Sequence, residues 1–236
     1  MRYFKILLIT LSAMAVQVAC KKTSSDVQGI AALNVVNASV EAPSIYVYFT
    51  FSDSDFYLQQ SPIYYQSSGE FSIPAISSPL SVLSSTDTGN ALFQTTIEPP
   101  SGSIYSLYIS NGTGKQMNNL LLRDTIPVHT DSSAGVRFIN LVSDSEPISV
   151  NLAGNPPSDM EFGALAYQQI SPFKSYTANS AIGGAYNFEI RDAASDSLLT
   201  TFTWNYSLFH NNTLVISGLE SPSAAMPIGV FQVNNY

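Results

Sequence analysis

The sequence states one figure twice. Ala31-Ala-Leu-Asn-Val-Val-Asn-Ala-Ser runs into Ala42-Pro-Ser-Ile-Tyr-Val-Tyr48, and Ala134-Gly-Val-Arg-Phe-Ile-Asn-Leu-Val-Ser runs into Glu146-Pro-Ile-Ser-Val-Asn-Leu152. In both copies an apolar strand ends in Asn (Asn37, Asn140), a polar turn closes on Pro (Pro43, Pro147), and an Ile-x-Val strand follows. Three later segments match at a near-constant offset. These are Ile63-Tyr-Tyr-Gln66 with Leu165-Ala-Tyr-Gln168, Leu92-Phe-Gln-Thr with Leu198-Leu-Thr-Thr, and Leu107-Tyr-Ile-Ser with Leu214-Val-Ile-Ser. Matches that stay in order and in register indicate one module used twice. Within 236 residues each module holds roughly a hundred, a normal size for a single core.

The module is built of strands. Ile45, Val47, Phe49 and Phe51 alternate with Tyr46, Tyr48 and Thr50, a period of two with one aliphatic and one amphipathic face. Further candidate strands are 63–66, 70–73, 80–85, 91–97, 104–110 and 119–123. In the second module they are 165–168, 173–178, 186–191, 198–204 and 214–217, with a last one in the tail from Ile228. Between them lie turn chemistries such as Asp87-Thr-Gly-Asn, Pro99-Pro-Ser-Gly and Asn111-Gly-Thr-Gly, spaced about every ten residues as in a sandwich. No window sustains a 3.6-residue period. The expected architecture is all-β: two tandem immunoglobulin-like antiparallel β-sandwich domains, 30–127 and 134–236, with 128–133 as linker.

A leader precedes them. Met1-Arg-Tyr-Phe-Lys is a positive start, and Ile6 to Val18 is an apolar run too short for the ~20 residues that span a bilayer. The run ends Gln17-Val-Ala-Cys20, which resembles a bacterial lipobox, with Gln17 where Leu is usual. Residues 1–19 therefore read as a signal peptide, Cys20 as a lipidated first residue, and 20–29 as its flexible tether. Acyl chains would supply the membrane affinity, each buried CH₂ contributing ~0.8 kcal/mol. With Arg2 and Lys5 removed, 7 basic residues face 17 acidic ones, a net charge of −10. The basic residues are scattered, which excludes phosphate-tracking nucleic acid binding. Cys20 is the one cysteine, so no intrachain disulfide forms and the fold rests on its apolar cores.

The openings Val35-Val-Asn-Ala-Ser and Val136-Arg-Phe-Ile-Asn-Leu-Val-Ser, with the connector Leu122-Arg-Asp-Thr-Ile-Pro, resemble the family called domain of unknown function 4397. Glu41 and Ser44 stand where that family often has Asp. The resemblance implies an exported bacterial lipoprotein of the Bacteroidetes type, and the absence of Asp just after Cys20 fits the outer membrane. It carries over no activity and no catalytic residues.

Elementary chemistry points the same way. His129 and His210 are isolated in loops, and with Cys20 committed to lipid no Cys/His nucleophile pair remains. No Gly-x-Ser-x-Gly elbow and no zinc-ligand cluster is present. Gly112-Thr-Gly-Lys115 lacks the spacing of a phosphate loop and reads as a hairpin turn. The acidic pairs Asp53/Asp55, Asp144/Glu146 and Asp192/Asp196 suit either calcium or turn hydrogen bonds. Aromatic side chains are the better clue to binding: Tyr46, Tyr48, Trp204 and Tyr206 are the candidate platform for a glycan or an envelope protein. The expected function is a non-enzymatic cell-envelope lipoprotein, a binding or spacer module without metal or cofactor. The alternatives are a carbohydrate-active enzyme using Asp/Glu, marked by two converging carboxylates, and a surface-fibre subunit joined through the C-terminal strand.

Overall fold

The computed structural model describes residues 29–49, 61–112, 116–179, 184–221 and 223–235. The signal peptide, Cys20, the tether up to Gln28, Thr50, Phe51, Asp53, Asp55 and Lys115 lie outside the described residues. Sixteen strands are present among those described, and they fall into two sets of eight. The first set is β1 (Ile30–Asn37), β2 (Ser44–Phe49), β3 (Ile63–Tyr64), β4 (Ser67–Pro74), β5 (Ser78–Ser84), β6 (Asp87–Ile97), β7 (Ile104–Asn111) and β8 (Met117–Arg123). The second is β9 (Ser133–Asn140), β10 (Ile148–Leu152), β11 (Phe162–Leu165), β12 (Lys174–Thr177), β13 (Ala185–Asp192), β14 (Leu198–Asn205), β15 (Asn211–Ser217) and β16 (Gly229–Asn235).

Each set makes two four-stranded sheets. The orders β4-β1-β7-β8 and β3-β2-β5-β6 recur as β12-β9-β15-β16 and β11-β10-β13-β14, strand for strand. Pairing is antiparallel except for one central pair per set, β1 with β7 and β9 with β15, which run parallel. The protein is thus all-β, with two tandem sandwiches. Inward residues of both sheets fill each core. In the first these include Leu33, Val35, Ile45, Val47, Phe49, Val82 and Leu107, and in the second Val136, Phe138, Val150, Phe188, Trp204 and Leu214.

The repeated Asn explains why the opening figure is written so firmly. Asn37 is fully buried where β1 ends, and its amide donates to the carbonyls of Ala42 (2.9 Å) and Ile63 (3.2 Å) while its oxygen accepts from the Ser39 N–H. Asn140 does the same at the end of β9, donating to the Leu165 carbonyl (3.0 Å) and accepting from the Val142 N–H (2.9 Å). One short side chain satisfies backbone groups that the turn would otherwise bury unpaired. Gln66 and Gln168 occupy the left-handed region (φ 60° and 62°), and their N–H groups bond Asn37 O and Asn140 O. A left-handed non-glycine residue is uncommon, so its recurrence at matched positions marks a shared backbone plan. Some expectations shift in detail. The segments 63–66 and 165–168 are each the end of a strand followed by a turn, and the connector gives up Ser133 to β9.

Candidate functional site at the junction of the two sandwiches

The central strands carry buried apolar residues on both faces. Val36, Tyr108, Ile139 and Val215 point away from the two cores, and all four are fully buried. They meet each other. Together with Ala38, Leu141, Phe231 and Val233, and flanked by Leu120, Leu122 and Ile170, they form a third apolar cluster between the two inner sheets. The molecule is therefore a four-layer stack with three apolar layers between its sheets.

The register of the sheets shows that this junction is built from equivalent positions. Val36 corresponds to Ile139, Ala38 to Leu141, Tyr108 to Val215, Leu120 to Phe231 and Leu122 to Val233. The polar contacts are reciprocal too. The Tyr65 hydroxyl reaches Ser217 Oγ (3.3 Å), and the Tyr167 hydroxyl reaches Ser110 Oγ (2.8 Å) and donates to the Asn111 carbonyl (2.8 Å). Tyr65 matches Tyr167 and Ser110 matches Ser217. A surface that contacts its own equivalent is the signature of a two-fold interface, here realised inside one chain with a pseudo-two-fold axis parallel to the strands. Both sandwiches consequently point the same way. Their chain starts, Ile30 and Ser133, lie at one end, and the turns after Asn37 and Asn140 lie at the other.

Symmetry breaks at one polar cluster. Arg137, in β9, places Nη2 2.6 Å from Asp124 Oδ1, and both side chains are buried, at 8% and 0% exposure. Arg137 also donates to Thr213 Oγ1 (2.9 Å) and the Tyr108 hydroxyl (3.3 Å), and its guanidinium lies 4.5 Å from the Phe173 ring centre. Ser106 Oγ donates to the other Asp124 oxygen (2.6 Å). The position matching Arg137 is Asn34, whose buried Oδ1 has no partner among the described residues, and the position matching Asp124 is Asn235. Asp124 sits in the connector, so the connector is stitched into the junction. His129 belongs to the same stitching, with ring nitrogens 2.9 Å from Ser133 Oγ and from Asn211 Oδ1.

A cleft of about 280 Å³ opens beside the junction, lined by Glu70 from the first sandwich and by Ser207, His210, Asn212, Gln232 and Asn234 from the second. Asn212 donates to Asn234 Oδ1 (2.9 Å), and Gln232 donates to the same oxygen (3.1 Å). Glu70 is the single carboxylate in its lining. Among the described residues no group of three or more His, Cys, Asp and Glu side chains is placed to hold a metal ion. Asp192 and Asp144 are engaged in turns. Asp192 Oδ1 accepts from the Ser195 hydroxyl and N–H and from the Ala194 N–H, and those Ser195 bonds hold its carboxyl below the ordinary carboxylate range. Asp144 accepts from the Glu220 N–H.

The aromatic platform is not assembled. Trp204 is completely buried in the second core, with Nε1 donating to Asn212 Oδ1 (2.8 Å) and the Tyr186 ring stacked 6.0 Å away. Tyr206 shares its face and packs against it at 5.8 Å, with its hydroxyl donating to the Asn179 carbonyl. Period two puts Phe202, Trp204 and Tyr206 on one face, and that face is the inner one, while the other carries Thr201, Thr203 and Asn205. Tyr46 and Tyr48 are half-buried on the outer face of the first sandwich, in a different sheet. Burial raises the hydroxyl pKa of Tyr176 well above its ordinary value, helped by the Glu161 carboxylate to which it donates. Glu161 also pairs with Lys174 at this edge.

No family model and no curated protein sequence matches the chain. Among solved structures, the Bacillus anthracis TIE protein matches at 9% identity over 81% of this chain and 33% of that one, with a TM-score of 0.23. The chain thus spans about a third of that protein's length, and a likeness at this score carries no functional argument.

Proposed function

We propose that the protein is a non-enzymatic, lipid-anchored envelope protein, and that the paired sandwiches serve as a rigid spacer. The observation that carries this reading is the junction: a buried apolar layer, reciprocal Tyr–Ser contacts and a connector pinned by Asp124 and Arg137. Flexible domains usually meet through smaller, more polar interfaces. A spacer instead gains from one stiff body, with its chain start at one end and two equivalent sets of turns at the other. The lipobox-like Gln17-Val-Ala-Cys20 would anchor the chain start. The tandem openings support kinship with the family called domain of unknown function 4397, and the absence of Asp just after Cys20 supports an outer-membrane location.

The cleft favours a second reading, recognition of a neutral glycan, since amides beside a carboxylate suit vicinal hydroxyls. A thermal-shift panel on the chain from Lys21 onward separates the two. The spacer reading predicts no shift with calcium, glycans or peptidoglycan fragments. A glycan held in the cleft at a hundred times its dissociation constant would add ~2.7 kcal/mol, and Asn234→Ala would abolish that gain.

A further inference from the structure

Sheets end in edges, and an open edge offers unpaired N–H and C=O groups to another strand. Natural proteins blunt such edges with charge, proline, bulges or brevity. Most edges here are managed in that way. β3 has two residues, β11 has four, and β12 has four including Lys174. β4 carries Glu70 and ends at Pro74, and β8 ends at Arg123. β14 and β16 are uncharged, but they approach each other where the second sandwich closes.

β6, at 11 residues the longest of the described strands, begins at Asp87 and runs into Glu98-Pro99-Pro100, but its middle is left open. Among the described residues it pairs with β5 alone, on one side. A register shift at Leu83 bulges it near Leu92, and beyond that bulge Phe93-Gln-Thr-Thr-Ile97 runs regularly against β5. That stretch contains no charge, no proline and no glycine. Gln94 and Thr96 are exposed, and among the described residues Gln94 donates to its own sheet neighbour, Ser81 Oγ (3.1 Å).

We infer that β6 pairs antiparallel with β6 of a second copy, joining two outer sheets into one of eight strands. Self-pairing suits this segment. Centred on Thr95, it sets Phe93 opposite Ile97 and Gln94 opposite Thr96, and the nearest charges, Asp87 and Glu98, lie outside the paired stretch. No like charges oppose each other, a condition that such pairs require. Antiparallel pairing is also the form that a two-fold dimer provides.

The chain from Lys21 onward has no cysteine, so single cysteines report the pairing cleanly. Gln94→Cys and Thr96→Cys are made separately, with Ser195→Cys in an exposed turn as the collision control. Paired Cα atoms in an antiparallel ladder lie about 4.5–5.5 Å apart, within disulfide reach. An equimolar mixture of the first two variants under mild oxidation is expected to form a covalent dimer at least tenfold above the control. Wild-type mass by light scattering should rise toward two chains with concentration. No dimer above the control, in the mixture or in either variant alone, overturns the proposal. So does cross-linking of Gln94→Cys only to a cysteine placed at Thr201 on β14.

Discussion

Asp124→Ala is expected to destabilise the protein by ~3–5 kcal/mol, the cost of leaving a buried charge without its partner. Arg137 is 8% exposed and lies between the two inner sheets. Without Asp124 its guanidinium keeps Thr213 and the Tyr108 hydroxyl, both neutral, and Ser106 loses its acceptor. The double variant Asp124→Leu with Arg137→Met should recover most of the loss, because an ion pair replaced by apolar groups of similar volume is often neutral. Urea unfolding monitored by tryptophan fluorescence measures both. A loss below about 1 kcal/mol for Asp124→Ala would be the behaviour of an exposed pair, and would mean that water reaches the junction.

Trp204→Ala carries the other large effect, ~3–5 kcal/mol from the cavity alone. The indole is fully buried among Phe188, Tyr176, Tyr186 and Tyr206. Its Nε1 also satisfies Asn212, which is 3% exposed at the cleft. Trp204→Phe separates the two contributions: it keeps much of the volume and should cost only ~1–3 kcal/mol, the penalty of an unpaired buried acceptor. Equal costs for both substitutions would assign the effect to the hydrogen bond. A negligible cost for Trp204→Ala would return Trp204 to the role of a surface platform.

Much of this fold is legible in the sequence, because the repeat and the turn residues speak locally. Asn37 and Asn140 announce their turns, and Ile45-Tyr-Val-Tyr-Phe49 announces a strand with one face buried. The relative placement of the modules is harder to read, although a trace of it exists. Val35-Val36, Leu107-Tyr-Ile109, Phe138-Ile139 and Leu214-Val-Ile216 are apolar at consecutive positions, as befits strands covered on both faces. Composition disguised the junction as ordinary strand chemistry. The fate of Trp204 illustrates a second limit: period two groups residues by face but does not say which face is inward. Bulges are a third. Leu92-Phe-Gln-Thr aligns with Leu198-Leu-Thr-Thr by eye, yet the ladders set Phe93 level with Thr200 and Gln94 level with Thr201, one residue away. The tail reads as an edge strand suited to fibre assembly. In the fold, Phe231 and Val233 of β16 are committed to the junction, so removing the strand would strip that layer.

Calorimetry of the chain from Lys21 onward tests the central claim most directly. Two sandwiches fused through a buried pseudo-two-fold junction should unfold in one transition, with a van't Hoff enthalpy about equal to the calorimetric enthalpy. Two resolved transitions, or a van't Hoff enthalpy near half the calorimetric value, would mean that the sandwiches unfold independently and that the junction does not hold them as one body.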